Sequence, residues 1–416
     1  MILQKVEGLF LMLFIISRMK YHLKILWQCL RPSKNLESIN WIRLKEIEEA
    51  EAMMSPKERV LTALDHREPD RVPRLASFTP EFAAKLRKHF KIKDDLFNPH
   101  GGTNHQLELK LGNDILLTAQ GFANSYYQRL DRDYTDEWGI PWKIVEYRTK
   151  NGTGRYTEIS GSPLKDDKSI ESYIPPDPTI ESRYEPSKRL IEEFGSEYPI
   201  MGVIVCTIFE AAWALRGLDK LMMDFITNEE LADKILDIPF GYHLYAGKKL
   251  ASRGVDIIWT GDDVGGQQGM LISPEMWRKY LKPRMAKLYA ELKSINPDLK
   301  IAYHSDGNIY PIIDDLVEIG LDILNPVQPK CMDPHYLKKR YGKNLSFWGS
   351  IDIQETLPFG TPGQIEDEIK DRIKNMGPGG GFIISPTHHV QIDTSLGNFF
   401  AFWNAAEKYG KYPINI

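Results

Sequence analysis

Cysteine is scarce in this chain of 416 residues: Cys29, Cys206 and Cys331 are the three present. They make no paired-thiolate metal motif and no disulfide framework, so a reducing cytoplasm is the expected setting. Basic charge is also in short supply. The 53 lysines and arginines are outnumbered by 57 acids, and a formal charge of −4 leaves no electrostatic footprint for nucleic acid. Long apolar runs are missing too. GLFLMLFII (8–16) covers nine residues, too few to span a bilayer, and the small-residue cleavage site of a secretory signal does not follow it. No membrane association is expected. The chain has no P-loop, no dinucleotide-binding fingerprint, no serine nucleophile elbow, no internal repeat and no low-complexity tract.

What is present is ordinary globular material, with 42% hydrophobic and 26% charged residues. Met53-Met54 is followed by Ser55-Pro56-Lys57-Glu58, a capping box with proline at the first helical position. That is how a domain begins. Residues 1–52 are therefore set apart as an amino-terminal extension, spurious or loosely attached, and 53–416 is taken as one domain.

From Ser55 onward strand and helix signals alternate. Strands are expected at 71–78, 198–208, 255–259, 300–303, 321–326, 345–349 and 381–385, with an eighth hidden between 106 and 130. Helical stretches lie between them: Ser273-Pro274 opens one that Pro283 should kink, and Thr361-Pro362-Gly363-Gln364 caps another. Residues 126–185 break the alternation with β-hairpin material around Asn151-Gly152, read as an insertion. Eight strands with helices between them predict an α/β fold, a (β/α)₈ TIM barrel with a β-hairpin insertion. An open doubly wound sheet is the alternative. It lacks support because no glycine-rich phosphate loop follows an early strand.

Three apolar runs end abruptly in chemically capable residues: IIWTGDDVGGQQG (257–269), KIAYHSDGN (300–308) and GFIISPTHHVQID (381–393). In a barrel the carboxyl ends of the strands share one mouth, so these loops should converge although they are far apart in sequence. His304 and Asp306, two apart at a strand lip, can reach one cation. The bland alternative is a hydrogen-bonded histidine beside a helix cap. Cys331 falls one strand over, and His388 and His389 end the last strand, one of them free to face the pocket. Successive side chains diverge, so Asp262 and Asp263 cannot both point inward. Asp262, Asp263 and His389 are the candidates for catalysis. Gln267, Tyr303, Asn325, Gln328 and Asp352 are assigned to substrate binding. The glycines of GGQQG are read as backbone room beside a bulky ligand. Trp138, Trp213, Trp259 and Trp348 fit core and pocket equally well.

From about Ser55 to its end the chain resembles the uroporphyrinogen decarboxylase superfamily, especially its cobalamin-dependent methyltransferase branch. The resemblance rests on MSPKERVLTALDHREPDRVP, DEWGIPWK, FEAAWALRGLDKLMMDFITNEELADKIL, GDDVGGQQGMLISPEMWRKYLKPR, YHSDGNI, DILNPVQ, FWGSIDIQETLPFGTP and SPTHHVQID. It implies a barrel and a metal site that activates a thiol, held by a His-x-Cys pair and a later cysteine. Here His304 matches the histidine, but Asp306 stands at the first cysteine position and His388 near the later one. The implied metal set is therefore His304, Asp306 and His388, with Cys331 as a fourth ligand, holding zinc or another divalent metal. The resemblance further implies methyl transfer between a corrinoid, brought by a separate partner protein, and a small methoxy, methylamine or thiol compound. Two alternatives stand beside it: porphyrinogen decarboxylation and a non-catalytic tetrapyrrole-binding or ligand-binding barrel. The decarboxylases' arginine-rich loop is missing from LASFTPEFAAKLRKHF, where Arg74 lies within the strand and Arg87 well along the next helix.

Overall fold

The computed structural model describes residues 54–93 and 105–416, and the amino-terminal stretch 1–52 with its apolar run lies outside them. Met54–Ile416 forms one unit. Its centre is a parallel sheet in the order β1 (Leu116–Ala119), β5 (Ile200–Val203), β6 (Ile257–Gly261), β7 (Lys300–His304), β8 (Ile323–Asn325), β9 (Ser346–Ile351) and β10 (Phe382–Pro386). Nearly every residue of these strands is buried, as expected of a sheet covered on both faces. Continuous apolar runs are the sequence mark of that burial.

Residues 71–78 close the ring, although they form bridges and not a regular strand. On one side Leu75 N–H donates to Ile384 O at 3.1 Å, and Ile384 N–H donates to Pro73 O at 2.9 Å. On the other side Asp114 N–H donates to Arg74 O at 3.0 Å, and Asn113 exchanges two side-chain bonds with the Ala76 backbone. Seven strands and this segment make the (β/α)₈ barrel. The hidden strand is β1, four residues long. β3 (Pro141–Thr149) and β4 (Gly152–Ile159) form the hairpin insertion, extended by the short β2 (Tyr134–Thr135).

Local signals hold where backbone chemistry dictates them. Ser55 Oγ accepts from Glu58 N–H and Glu58 returns the bond, and Thr361 and Gln364 do the same. Pro283 differs from expectation. Instead of kinking one helix it sits in the first turn of a second: Pro274–Tyr280 ends, and Lys282–Ile295 begins. A proline lacks the N–H a helix interior needs, and a first turn does not need it. The stripe Trp277, Leu281, Met285, Leu288 and Leu292 is buried regardless of the break.

Among the described residues no helix is long and apolar enough to cross a membrane.

Candidate active site

The carboxyl ends of β6 and β7 lie in register, with Gly261 opposite His304, and β7 pairs with β8 so that His304 lies opposite Asn325. The second pairing sets the imidazole. His304 Nδ1 is 2.7 Å from Asn325 Oδ1, while Asn325 Nδ2 donates to Trp348 O at 3.0 Å. The amide must therefore offer its oxygen, and Nδ1 must carry the proton. Nε2 is left with a lone pair. It faces Asp263 Oδ1 at 3.6 Å and Asp306 Oδ1 at 3.9 Å. Donor atoms of Asp263, His304 and Asp306 all lie within 4.8 Å of one another.

Asp306 Oδ1 is buried and has no hydrogen-bond partner. An unpaired buried carboxylate oxygen is costly, and burial accordingly pushes the Asp306 carboxyl up, with His304 and His388 pulling it back. A cation among these three groups would remove that cost. One nitrogen and two carboxylate oxygens suit zinc or a harder divalent metal.

The two consecutive aspartates divide as their alternation requires. Asp262 is 1% exposed and accepts from the backbone N–H groups of Ile208 and Glu210, at 2.9 to 3.1 Å, where the helix Phe209–Arg216 begins. Burial raises its carboxyl to about 7, those N–H groups opposing it. Asp263 turns the other way, into a cavity of about 230 Å³. Its oxygen also accepts Asp306 N–H at 2.7 Å, which ties the two loops together.

The cavity touches His304, His388, His389 and Asn325, together with Trp259 and Trp348. His388 is exposed, its ring 6.3 Å from that of His304, and it lies outside the three-residue group. His389 is buried, with Nδ1 2.7 Å from Ser77 Oγ. Cys331 is not brought to the cluster. Its thiol donates to Gln267 Oε1 at 3.4 Å and approaches Gln328 Oε1 at 3.6 Å. Gln328 also accepts Gly307 N–H, so it shapes the His304–Gly307 loop from behind. Tyr303 is 1% exposed and reaches Asp262 O at 3.2 Å. Asp352 accepts from the N–H groups of Gln354, Glu355 and Thr356, an N-terminal cap. Neither Tyr303 nor Asp352 lines the cavity. Trp138 is core, stacked on His243, while Trp213 is partly buried at the edge of the core.

Gly265 of the 264–269 loop has a different use from the ligand room expected of these glycines. A Cβ on Gly265 would meet Asp306 O at 2.5 Å, so the space is filled by the neighbouring 304–307 loop. Glu210 was not foreseen. It lines the cavity, and its Oε2 accepts Asp263 N–H at 3.0 Å. Burial and the nearby Asp263 and Asp262 push its carboxyl well above the usual range. In the sequence an acid in a first helical turn reads only as a complement to the helix dipole.

Comparison with known proteins agrees with this frame. Residues 145–409 match the family described as Uroporphyrinogen decarboxylase (URO-D). Methylcobamide:CoM methyltransferase MtaA of Methanosarcina barkeri (strain Fusaro / DSM 804) is 26% identical over 358 residues, 85% of this chain and 98% of that protein. Methylated-thiol–coenzyme M methyltransferase of Methanosarcina mazei is 24% identical over 226 residues, covering 52% of this chain and 56% of the relative. A solved methyltransferase from Methanosarcina mazei shares the fold, with a TM-score of 0.62 and 21% identity over 86% of this chain and 99% of its own.

Proposed function

Because this chain belongs to the uroporphyrinogen decarboxylase family, we propose that it is a metal-dependent methyltransferase of that family's corrinoid-linked branch, moving a methyl group between a corrinoid and a small compound. Similarity to methylcobamide:CoM methyltransferases over nearly the whole length of one relative supports the methyl-transfer class. The observation that carries metal dependence is the group Asp263, His304 and Asp306, with a fixed tautomer and one orphaned buried oxygen.

A divalent ion bound there would supply a Lewis acid with few thiolates to soften it, able to polarise a substrate oxygen or bind a thiolate. The protein's own part is positional. Asn325 holds the His304 proton on Nδ1, Asp263 fixes the Asp306 backbone, and Asp262 pins the helix that begins beside Glu210. His389, linked to Ser77, lies in the cavity wall where it can give or take a proton. The corrinoid would arrive on a separate protein, a further part of the proposal.

Porphyrinogen decarboxylation has less support. Arg74 is engaged by Glu407 at 2.7 Å and lies over Trp403, and among the described residues no arginine or lysine lines the cavity. The volume, about 230 Å³, is also small, about half as large again as the roughly 150 Å³ that holds benzene. A polycarboxylate macrocycle needs more room and several guanidinium groups.

The test is metal analysis of the full chain as purified, beside His304→Ala and Asp306→Asn. About one metal per chain, lost in each variant together with methyl transfer, is expected. Metal at full content in both variants would refute the assignment.

A further inference from the structure

The lining of the cavity narrows the substrate class, an inference that rests on the methyl-transfer reading above. Tyr126, Tyr127, Tyr156, Trp259 and Trp348 supply aromatic surface, and Glu210 supplies a carboxylate. The rings lead to the cluster: Trp259 meets Trp348 edge-on at 4.6 Å and His304 at 5.7 Å. Among the described residues no lysine or arginine reaches this lining. The carboxylates also outnumber what one dication balances. Asp263 and Asp306 match a divalent ion, and Asp262 is held by backbone N–H groups. Glu210 accepts one backbone N–H, from Asp263, and no basic side chain among the described residues pairs with it. Burial and the nearby acids push its carboxyl up, and a cation bound in the cavity would favour its ionised form.

We propose that the cavity binds a methylated ammonium cation as the methyl-bearing substrate, its methyl groups against the aromatic rings and its charge answered by Glu210. A positive charge spread over methyl groups suits aromatic faces, where attraction to the ring quadrupole needs no hydrogen bond. A sulfonate or a polycarboxylate would meet the same acids with no lysine or arginine to answer it. Transfer balances simply for a quaternary nitrogen. The C–N bond breaks with its electron pair left on nitrogen, giving a neutral amine. A two-electron nucleophile, a reduced corrinoid or a thiolate, provides the pair for the new bond to carbon, and no proton moves.

The experiment is calorimetric titration of the metal-loaded full chain with choline, its neutral isostere 3,3-dimethylbutan-1-ol, and ethanesulfonate, an anion with no thiol to bind the metal. Choline should bind about tenfold tighter than the alcohol, a gap typical of a desolvated cation over aromatic rings. The sulfonate should bind most weakly. Glu210→Gln should close the gap while leaving the alcohol's affinity unchanged. If that variant does not fold, the ranking of the three ligands on the parent protein decides. Equal affinities for choline and alcohol, no choline binding, or a preference for the sulfonate overturns the proposal. Metal content measured on the same sample keeps the two readings apart. Full metal without cation preference refutes the substrate class alone, whereas a protein that takes up no metal refutes the methyltransferase site itself.

Discussion

Asp114 and Asp306 are both acids at the rim of the barrel, one just before β1 and the other just after β7. Asp114 is 1% exposed, and both its oxygens are saturated. It accepts from Arg59 Nη1 at 2.7 Å, Arg71 Nη1 at 2.7 Å and Arg74 N–H at 2.8 Å. Arg59 is held in turn by Asp70 through two 2.7 Å bonds. Asp306 has a buried oxygen with no partner and two other potential ligands within 4.8 Å. The same side chain thus fastens the barrel at its amino end and stays unspent at its carboxyl end. A barrel can keep costly groups at one mouth because its other mouth is closed by paired ones.

The sharpest way to break this contrast is to neutralise each acid in turn. Asp114→Asn takes the shared carboxylate from buried Arg59, which keeps Asp70, and from part-buried Arg71. It should cost about 3 kcal/mol of unfolding free energy, the low end for a broken buried ion pair. Asp306→Asn, with chelator present, should change stability by no more than about 1 kcal/mol, because the charge removed had no partner on that oxygen. Urea unfolding of both variants measures the difference. Similar losses would mean that the carboxyl-end group is structural.

How much of this was legible in the sequence follows the range of the interactions involved. The capping boxes at Ser55 and Thr361 are local and were readable, as were the buried strands that end in HSDG and THH. β1 was placed only within a window, because four residues carry too little periodicity. The choice of Asp263 over Asp262 for the cavity was open, since adjacent residues on a strand end differ only by which face the register selects. The role of Asn325 was hidden for the same reason. It orients His304 through a pairing of β7 with β8 that no local pattern encodes. Assigned to substrate binding from its position, Asn325 lines the cavity and also sets a tautomer.

A second contrast is between two histidines, and pH probes it. His304 and His243 both use Nδ1 on an oxygen, but the Nε2 of His243 accepts Phe122 N–H at 3.1 Å, with Thr207 O 2.8 Å from Nδ1. A second proton on His243 must break the Phe122 bond inside the core. Burial lowers its pKa to about 4, below the ordinary 6.5. The unfolded chain then takes the proton first as pH falls. Stability from this group is complete above 6.5 and declines between 6.5 and 4, by about 2 kcal/mol at pH 5. Asp262, raised to about 7, works in the opposite direction over part of that range. The useful readout is therefore the difference between the unfolding curves of the parent protein and His243→Asn. That difference should shrink by about 2 kcal/mol between pH 7 and 5, and a constant difference would show that His243 protonates without strain.

The smallest effect is expected at Cys331, and it bears most directly on which residues complete the proposed metal site. A thiol one strand from His304 is a natural fourth ligand on sequence spacing. In the fold its sulfur is engaged by the amide oxygens of Gln267 and Gln328, and the three-residue group forms without it. Cys331→Ser preserves a hydroxyl donor for those two amides. Metal content should stay at the parent level, and the unfolding free energy should move by no more than about 0.5 kcal/mol, the range of a partly exposed polar exchange. Loss of metal would mean that the 328–333 loop swings toward His304 when the ion binds. The carboxyl-end acids would then be completed by a thiolate, and the contrast with the amino end would rest on a moving loop instead of a fixed cluster.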